Sequence, residues 1–217
     1  MFKRRIKRNW PTIVAHWFYP RGGWARALSY MAHRLRRLPD TPSKIARGVG
    51  AGVFVSFTPF FGFHFVTAVI VGFAVRGNIL AALLATFFGN PLTFPLIAAT
   101  SLETGNFLLG RDVIFPFRVI VSSFGDASVE LWRNFEAIFT DANAEWHRLA
   151  EFFDTVFLPY LVGGMVPGFA AGLVAYFFSK PLIAAYQKHR RKKLRKKWAE
   201  MRGSAADAPA KDKGDAA

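Results

Sequence analysis

The sequence predicts an all-α protein, a polytopic membrane helix bundle with Pro-broken or re-entrant helices and with amphipathic helices at its periphery. Composition is the first ground: 52% of the 217 residues are apolar and 16% aromatic, with 24 Phe. Charge placement is the second. The net charge is +15; residues 1–47 hold twelve Lys/Arg against one acid and residues 180–202 ten against one, while residues 48–110 carry only Arg76 and Glu103. The third is a set of uncharged runs, 48–75, 77–102 and 156–179, of 28, 26 and 24 residues. About 20 residues suffice for a helix to cross the hydrocarbon. High apolar content and the absence of Cys argue against a disordered chain and against a secreted disulfide scaffold.

The basic N-terminal segment, 1–41, resembles a signal peptide only in its charge. After Lys3, Arg4, Arg5, Lys7 and Arg8 the apolar stretch is cut short by His16 and Pro20, so no cleavage is expected. From Arg26 to Leu38, the apolar residues Leu28, Met31, Leu35 and Leu38 recur at helical spacing, with Arg26, Arg34, Arg36 and Arg37 between them. This pattern fits a helix on a membrane surface, with Trp17, Tyr19 and Trp24 as interfacial aromatics. It also fits an ordinary amphipathic helix on a soluble core.

Asp40-Thr41-Pro42 starts the next region, 42–110, which holds two broken apolar runs. Thr58-Pro59 interrupts the first, and Asn90-Pro91, followed by Pro95, interrupts the second. A proline inside a helix removes one backbone donor and crowds the preceding turn, at a cost of about 3 kcal/mol. The Thr or Asn before each proline is a good cap for a new helix. The expected pieces are 42–57, 59–75, 78–89 and 91–109. At 1.5 Å per residue the piece 78–89 reaches about 18 Å, against about 30 Å of hydrocarbon.

Parity of crossings adds a constraint. Basic segments stay cytoplasmic, and residues 111–154 carry four Arg against eight acids. If both ends are cytoplasmic and that stretch is outside, region 48–110 makes an odd number of crossings, and one broken run is a re-entrant hairpin. The other reading is three plain kinked spans with the termini on opposite faces.

Segment 111–155 reads as an amphipathic helical hairpin. Trp132, Phe135, Phe139, Trp146, Leu149, Phe153 and Val156 recur at helical spacing around a joint near 140–143, so it lies on the membrane or caps the bundle. Segment 156–180 is a membrane helix. Its Gly164, Gly168 and Gly172 repeat the spacing of Gly48 and Gly52 in the first run, and such strips let backbones approach closely in lipid. The two strips are expected to meet, within one chain or between copies in a homo-oligomer. The basic C-terminal helix, 181–202, carries Lys188, Arg190, Arg191, Lys192, Lys193, Arg195, Lys196 and Lys197, suited to anionic lipid head groups. Nucleic acid is the weaker reading, with no recognised fold or stacking platform. Residues 203–217 are small and polar and read as a disordered tail.

Five separated stretches carry a family resemblance. They are Tyr19-Pro20-Arg21-Gly22-Gly23-Trp24, Leu38-Pro39-Asp40-Thr41-Pro42, Phe57-Thr58-Pro59-Phe60-Phe61-Gly62-Phe63-His64, Arg76-Gly77-Asn78 and Gly89-Asn90-Pro91-Leu92-Thr93-Phe94-Pro95. In this order, over roughly 19–180, the sequence resembles the bacterial membrane family known as domain of unknown function 2062. The resemblance implies a protein of the bacterial inner membrane, with no reaction, ligand or catalytic residue attached.

No phosphate loop, dinucleotide fingerprint or nucleophile elbow is present. The five His have no metal-ligand spacing and no Cys to assist, so no catalytic, cofactor-binding or metal site is expected and the chain does not read as an enzyme. What remains is polar side chains in apolar surroundings: Thr58, His64, Arg76, Asn78, Asn90, Thr93 and Glu103. Arg76 has two readings, a head-group boundary or a pair with Glu103; for Asn78 and Asn90 the plain role is capping. The sharper hypothesis is a broken-helix site for a small solute, ion or lipid, lined by Thr58, His64, Asn90 and Thr93 with Arg76 nearby. Its rival is a non-catalytic membrane scaffold supporting envelope or lipid assembly. The expected location is the bacterial inner membrane with both termini cytoplasmic.

Overall fold

The computed structural model describes residues 23–60, 62–111, 117–140 and 143–206, and among them the fold is eight α-helices with no strand. Expectations for residues 1–22 and for the tail beyond 206 lie outside the described residues. The first helix, α1, spans Gly23–Arg36. The central helix, α2, spans Pro42–Val55; Thr41 accepts the Lys44 amide at 3.4 Å, and Pro42 sits in the first turn, where its missing donor costs nothing. Nine of its fourteen residues are buried, because neighbours cover it on two sides.

At its far end α2 stops where expected, but by a different device. Thr58 does not cap a following helix; its hydroxyl donates back to the Val55 carbonyl at 2.7 Å. The chain then turns through Gly62 at φ +83°, and α3, His64–Ala74, begins five residues after Pro59. Helix α3 brings the chain back. Arg76 takes a left-handed φ of +50°, the Asn78 amide donates to the Lys44 carbonyl at 2.9 Å, and Gly77 packs against the Gly48 backbone. The first run is therefore a helical hairpin whose end lies beside its own beginning.

Helix α4, Ile79–Ala85, continues as a 3-10 turn, Thr86–Phe88, and runs parallel to α2. Gly48 faces Asn78 and Ala81, Gly52 faces Ala82 and Ala85, and the Ser56 hydroxyl donates to the Thr86 carbonyl at 3.2 Å. After the second break, α5 spans Phe94–Leu108. It does not fold back. Gly105 lies on Pro159, and Ser101 lies on Gly163, so α5 carries the chain onward, beyond the tip of the α2–α3 hairpin.

Helix α6, Phe117–Ala137, and the short α7, His147–Phe152, form the expected hairpin. Phe124 meets Phe152 edge-on at 4.7 Å, and Arg111 ties the region to Asp154 at 3.0 Å. A π turn, Phe153–Phe157, leads into α8, Leu158–Ala206. Here the expected division at 180/181 is absent: one helix runs through both Pro167 and Pro181. Neither is preceded by a Thr or Asn that could take up the freed backbone groups, as Val166 and Lys180 stand there. Packing holds the helix across the first defect, since Gly163, Gly164 and Gly168 lie against Ser101 and Phe57.

Helix α8 runs antiparallel to α2. Gly164 lies at Phe57, Gly172 at Gly50, and the Gln187 amide donates to the Asp40 carbonyl at 2.9 Å. The expected meeting of the two glycine strips is thus corrected: Gly48 and Gly52 admit α4, and Gly50, on another side of α2, meets Gly172. Asp40 and the basic end of α8 share one end of the bundle. Among the described residues, one helix, 147–202 with its π turn counted, is long and apolar enough to cross a membrane; α3 and α4 with its 3-10 turn are apolar but short. Helix α3 buries only Ala68 and Gly72, leaving Phe65, Val66, Ile70 and Phe73 more than half exposed.

Candidate functional site

The polar groups of the apolar region gather at the two ends of α2. At its start lies a junction around Asp40. Asn78 donates its amide to the Asp40 carboxylate at 2.6 Å and accepts the Ala81 amide at 2.8 Å, so one side chain caps α4 and ties it to the chain before α2. Lys44 pairs with the same carboxylate at 3.1 Å. The Asn78 hydrogen bond, helped by Lys44, holds the Asp40 carboxyl below the usual carboxylate range. Arg47 donates to the Arg76 carbonyl through Nε at 3.2 Å and Nη2 at 2.8 Å. That contact answers the left-handed turn at Arg76, whose carbonyl would otherwise be left at an open helix end.

At the other end the two breaks stand side by side. Phe57 stacks on Phe88 with centroids 6.2 Å apart. The His64 imidazole bonds the Thr58 backbone. Asn90 works as an Asx turn, its Oδ1 accepting the Leu92 amide at 2.9 Å and the Thr93 amide at 3.2 Å, while its Nδ2 reaches the Phe87 and Phe88 carbonyls at 3.3 Å. Thr93 donates to the Phe88 carbonyl. Asn90 and Thr93 thus satisfy the open end of α4 instead of capping α5 from its side chain.

The geometry divides the residues singled out from sequence. Thr58, His64, Asn90 and Thr93 come together at the breaks, whereas Arg76 and Asn78 belong to the Asp40 junction at the opposite end of α2. Fourteen residues of helix separate the two groups, about 21 Å at 1.5 Å per residue. Arg76 is therefore not beside the breaks, and no ion pair joins it to Glu103, an exposed residue of α5.

Several residues were not legible as important. Arg47 is the sixth residue of α2 and looked like the last charge of the basic segment. Gly50 lies outside the four-residue glycine spacing. Ser101 and Tyr160 are hydrogen-bonded and buried between α5 and α8, and Asn106 is buried further along α5. Glu130, which falls between the apolar positions of the hairpin, is buried and accepts the Arg148 amide at 3.1 Å and the Leu149 amide, capping α7. Such roles depend on which elements meet, which local spacing does not encode.

The cations from Lys188 to Lys197 all lie exposed on the last turns of α8. Two shallow grooves flank this helix at Gln187. One is lined by Pro42, Lys188, Arg191, Lys192 and Arg195, the other by Arg36, Asp40, Arg190 and Leu194. Among the described residues, no group of three or more His, Cys, Asp or Glu side chains is placed to hold a metal ion. No curated protein and no solved structure matches the chain. Residues 25–192 match the family described as an uncharacterized protein conserved in bacteria. The motifs at the two ends of α2 all fall within that span, and the chain belongs to this bacterial family, domain of unknown function 2062.

Proposed function

We propose that the chain is an integral protein of the bacterial inner membrane, serving as a non-catalytic scaffold for envelope or lipid assembly. In this reading α2 and α3 form a re-entrant hairpin, α4 and α5 make one broken crossing, and α8 crosses back. Both termini then lie in the cytoplasm. The observation that carries the reading is the return of Gly77 and Asn78 to Gly48 and Lys44. It leaves an odd number of crossings before the acid-rich hairpin.

The surface supports lipid as the surroundings, since α3 and the apolar half of α8 present Phe65, Ile70, Phe73, Phe169, Phe177 and Phe178 at more than half exposure. Soluble monomers rarely leave contiguous apolar patches of more than a few hundred Å² open to water. The scaffold is favoured because the polar side chains at the breaks are engaged with helix ends. At about 1 kcal/mol per basic residue near an anionic leaflet, the eight cations of 188–197 hold the C-terminal helix on head groups.

Single cysteines test the topology in a chain that has none. Arg37→Cys, Arg76→Cys and Lys197→Cys are expected to label from the cytoplasmic side and Ser128→Cys from the other. Labelling of position 76 from the far side would replace the hairpin with a plain span.

A second reading, passage of a small solute, ion or lipid at the breaks, is favoured by their adjacency through Phe57, Phe88, Ser56 and Thr86. Asn90→Ala separates the two. The scaffold predicts that growth phenotype and thermal stability decline together; loss of function at unchanged melting temperature supports passage.

A further inference from the structure

A groove of about 360 Å³ opens on the flank of the bundle between α2, α3 and α8, within the range of about 300–1,000 Å³ typical of ligand pockets. Its floor is the meeting of Gly50 with Gly172, where an added Cβ on Gly50 would come 2.8 Å from the Gly172 carbonyl. Phe54, Val71, Phe169 and Leu173 form its walls, and Arg47 and Tyr176 stand at one end.

Two further basic residues are anchored beside that end, next to the lining residues Arg47 and Tyr176. Arg76 is held there through its carbonyl, which accepts from Arg47, and the Lys180 ammonium lies 5.6 Å from the centre of the Tyr176 ring. No acid lines the groove. The surface is apolar along its length and cationic at one mouth.

We propose that this groove binds one acyl chain and the phosphate of an anionic phospholipid, the chain over Gly50 and Gly172 and the phosphate among Arg47, Arg76 and Lys180. The site rests on the membrane placement proposed above. It is separate from the Lys188–Lys197 patch, which begins eight residues further along α8, about 12 Å at 1.5 Å per residue. A free anion would use the mouth and leave the apolar walls unfilled. A second copy docked about a two-fold axis would bring its own three cations toward these, since such an interface pairs each patch with itself. An amphiphile satisfies both halves of the groove.

The test uses the full chain, purified in detergent and stripped of lipid. Phosphatidylglycerol, phosphatidylcholine and inorganic phosphate are titrated separately, with native mass spectrometry and thermal unfolding as readouts. One phosphatidylglycerol per chain is expected to be retained in preference to phosphatidylcholine. Each basic residue is worth about fivefold in that preference, so Arg76→Gln with Lys180→Gln lowers it about 25-fold. Leu173→Trp fills the groove from its exposed rim and abolishes lipid retention while the lipid-free protein melts as before. Val75→Trp, from the α3 side, gives the same result should the first variant not fold.

Equal retention of the two lipids by the wild type, or undiminished phosphatidylglycerol binding by folded groove-filling variants, overturns the site. Stabilisation by inorganic phosphate equal to that by phosphatidylglycerol also overturns it, in favour of a soluble anion. An intact cysteine-labelling pattern without retained lipid removes the groove alone; loss of that pattern removes the membrane placement itself.

Discussion

Asp40 shows how one side chain fastens several elements. Its carboxylate receives Asn78 and Lys44 and its carbonyl receives Gln187. Because its carboxyl is depressed in the folded state, its contribution is complete above the unfolded value near pH 4 and is lost as pH falls through the lower folded value. Thermal unfolding in detergent checks the sign: Asp40→Asn is expected to melt below wild type at pH 7, and the gap is expected to narrow as pH falls below about 4. Glycines supply a second contrast. Gly52→Ala drives a methyl into the Ala82 carbonyl and should cost about 1–3 kcal/mol. Gly125→Ala in α6 meets nothing within 4 Å and should be neutral or stabilise by up to about 1 kcal/mol. Denaturant titration distinguishes the two substitutions.

At the scale of elements, the breaks at Pro59 and Pro91 were readable because the signal is local: a missing donor beside a side chain able to serve the broken ladder. Pro167 and Pro181 lack such a side chain and leave α8 continuous, an outcome that depends on neighbouring helices. Glycine strips carried only half of their message. A small residue announces a close approach, but Gly48 and Gly52 do not reveal that the partner is α4, which arrives only because α3 returns to Gly48. The α6–α7 hairpin was legible from its apolar spacing, yet its clasp was not, because Glu130 reaches Arg148 and Leu149 across eighteen and nineteen residues. Hydrogen bonds to a charged group are worth about 1.5–3 kcal/mol. Glu130→Ala is therefore expected to raise amide exchange at Arg148 and Leu149 at least tenfold while Gly163 and Tyr160 in α8 stay protected. Equal exchange in both proteins would show that the clasp is idle.

Across the whole molecule, the contact between Asp40 and Gln187 brings the start of α2 to the basic part of α8. The candidate site was less legible. The two breaks lie side by side through Phe57 and Phe88, but Arg76 lies at the opposite end of α2, a placement hidden in the sequence because a hairpin and a straight span have the same hydropathy. The closure between Asp40 and Gln187 spans 147 residues of sequence. On the ribosome the second helix emerges long before its wall at Gly172 has been translated. The nascent chain therefore leaves the Gly50 side of α2 open until α8 has been made, and a chain halted before Gly172 is expected to keep that side uncovered.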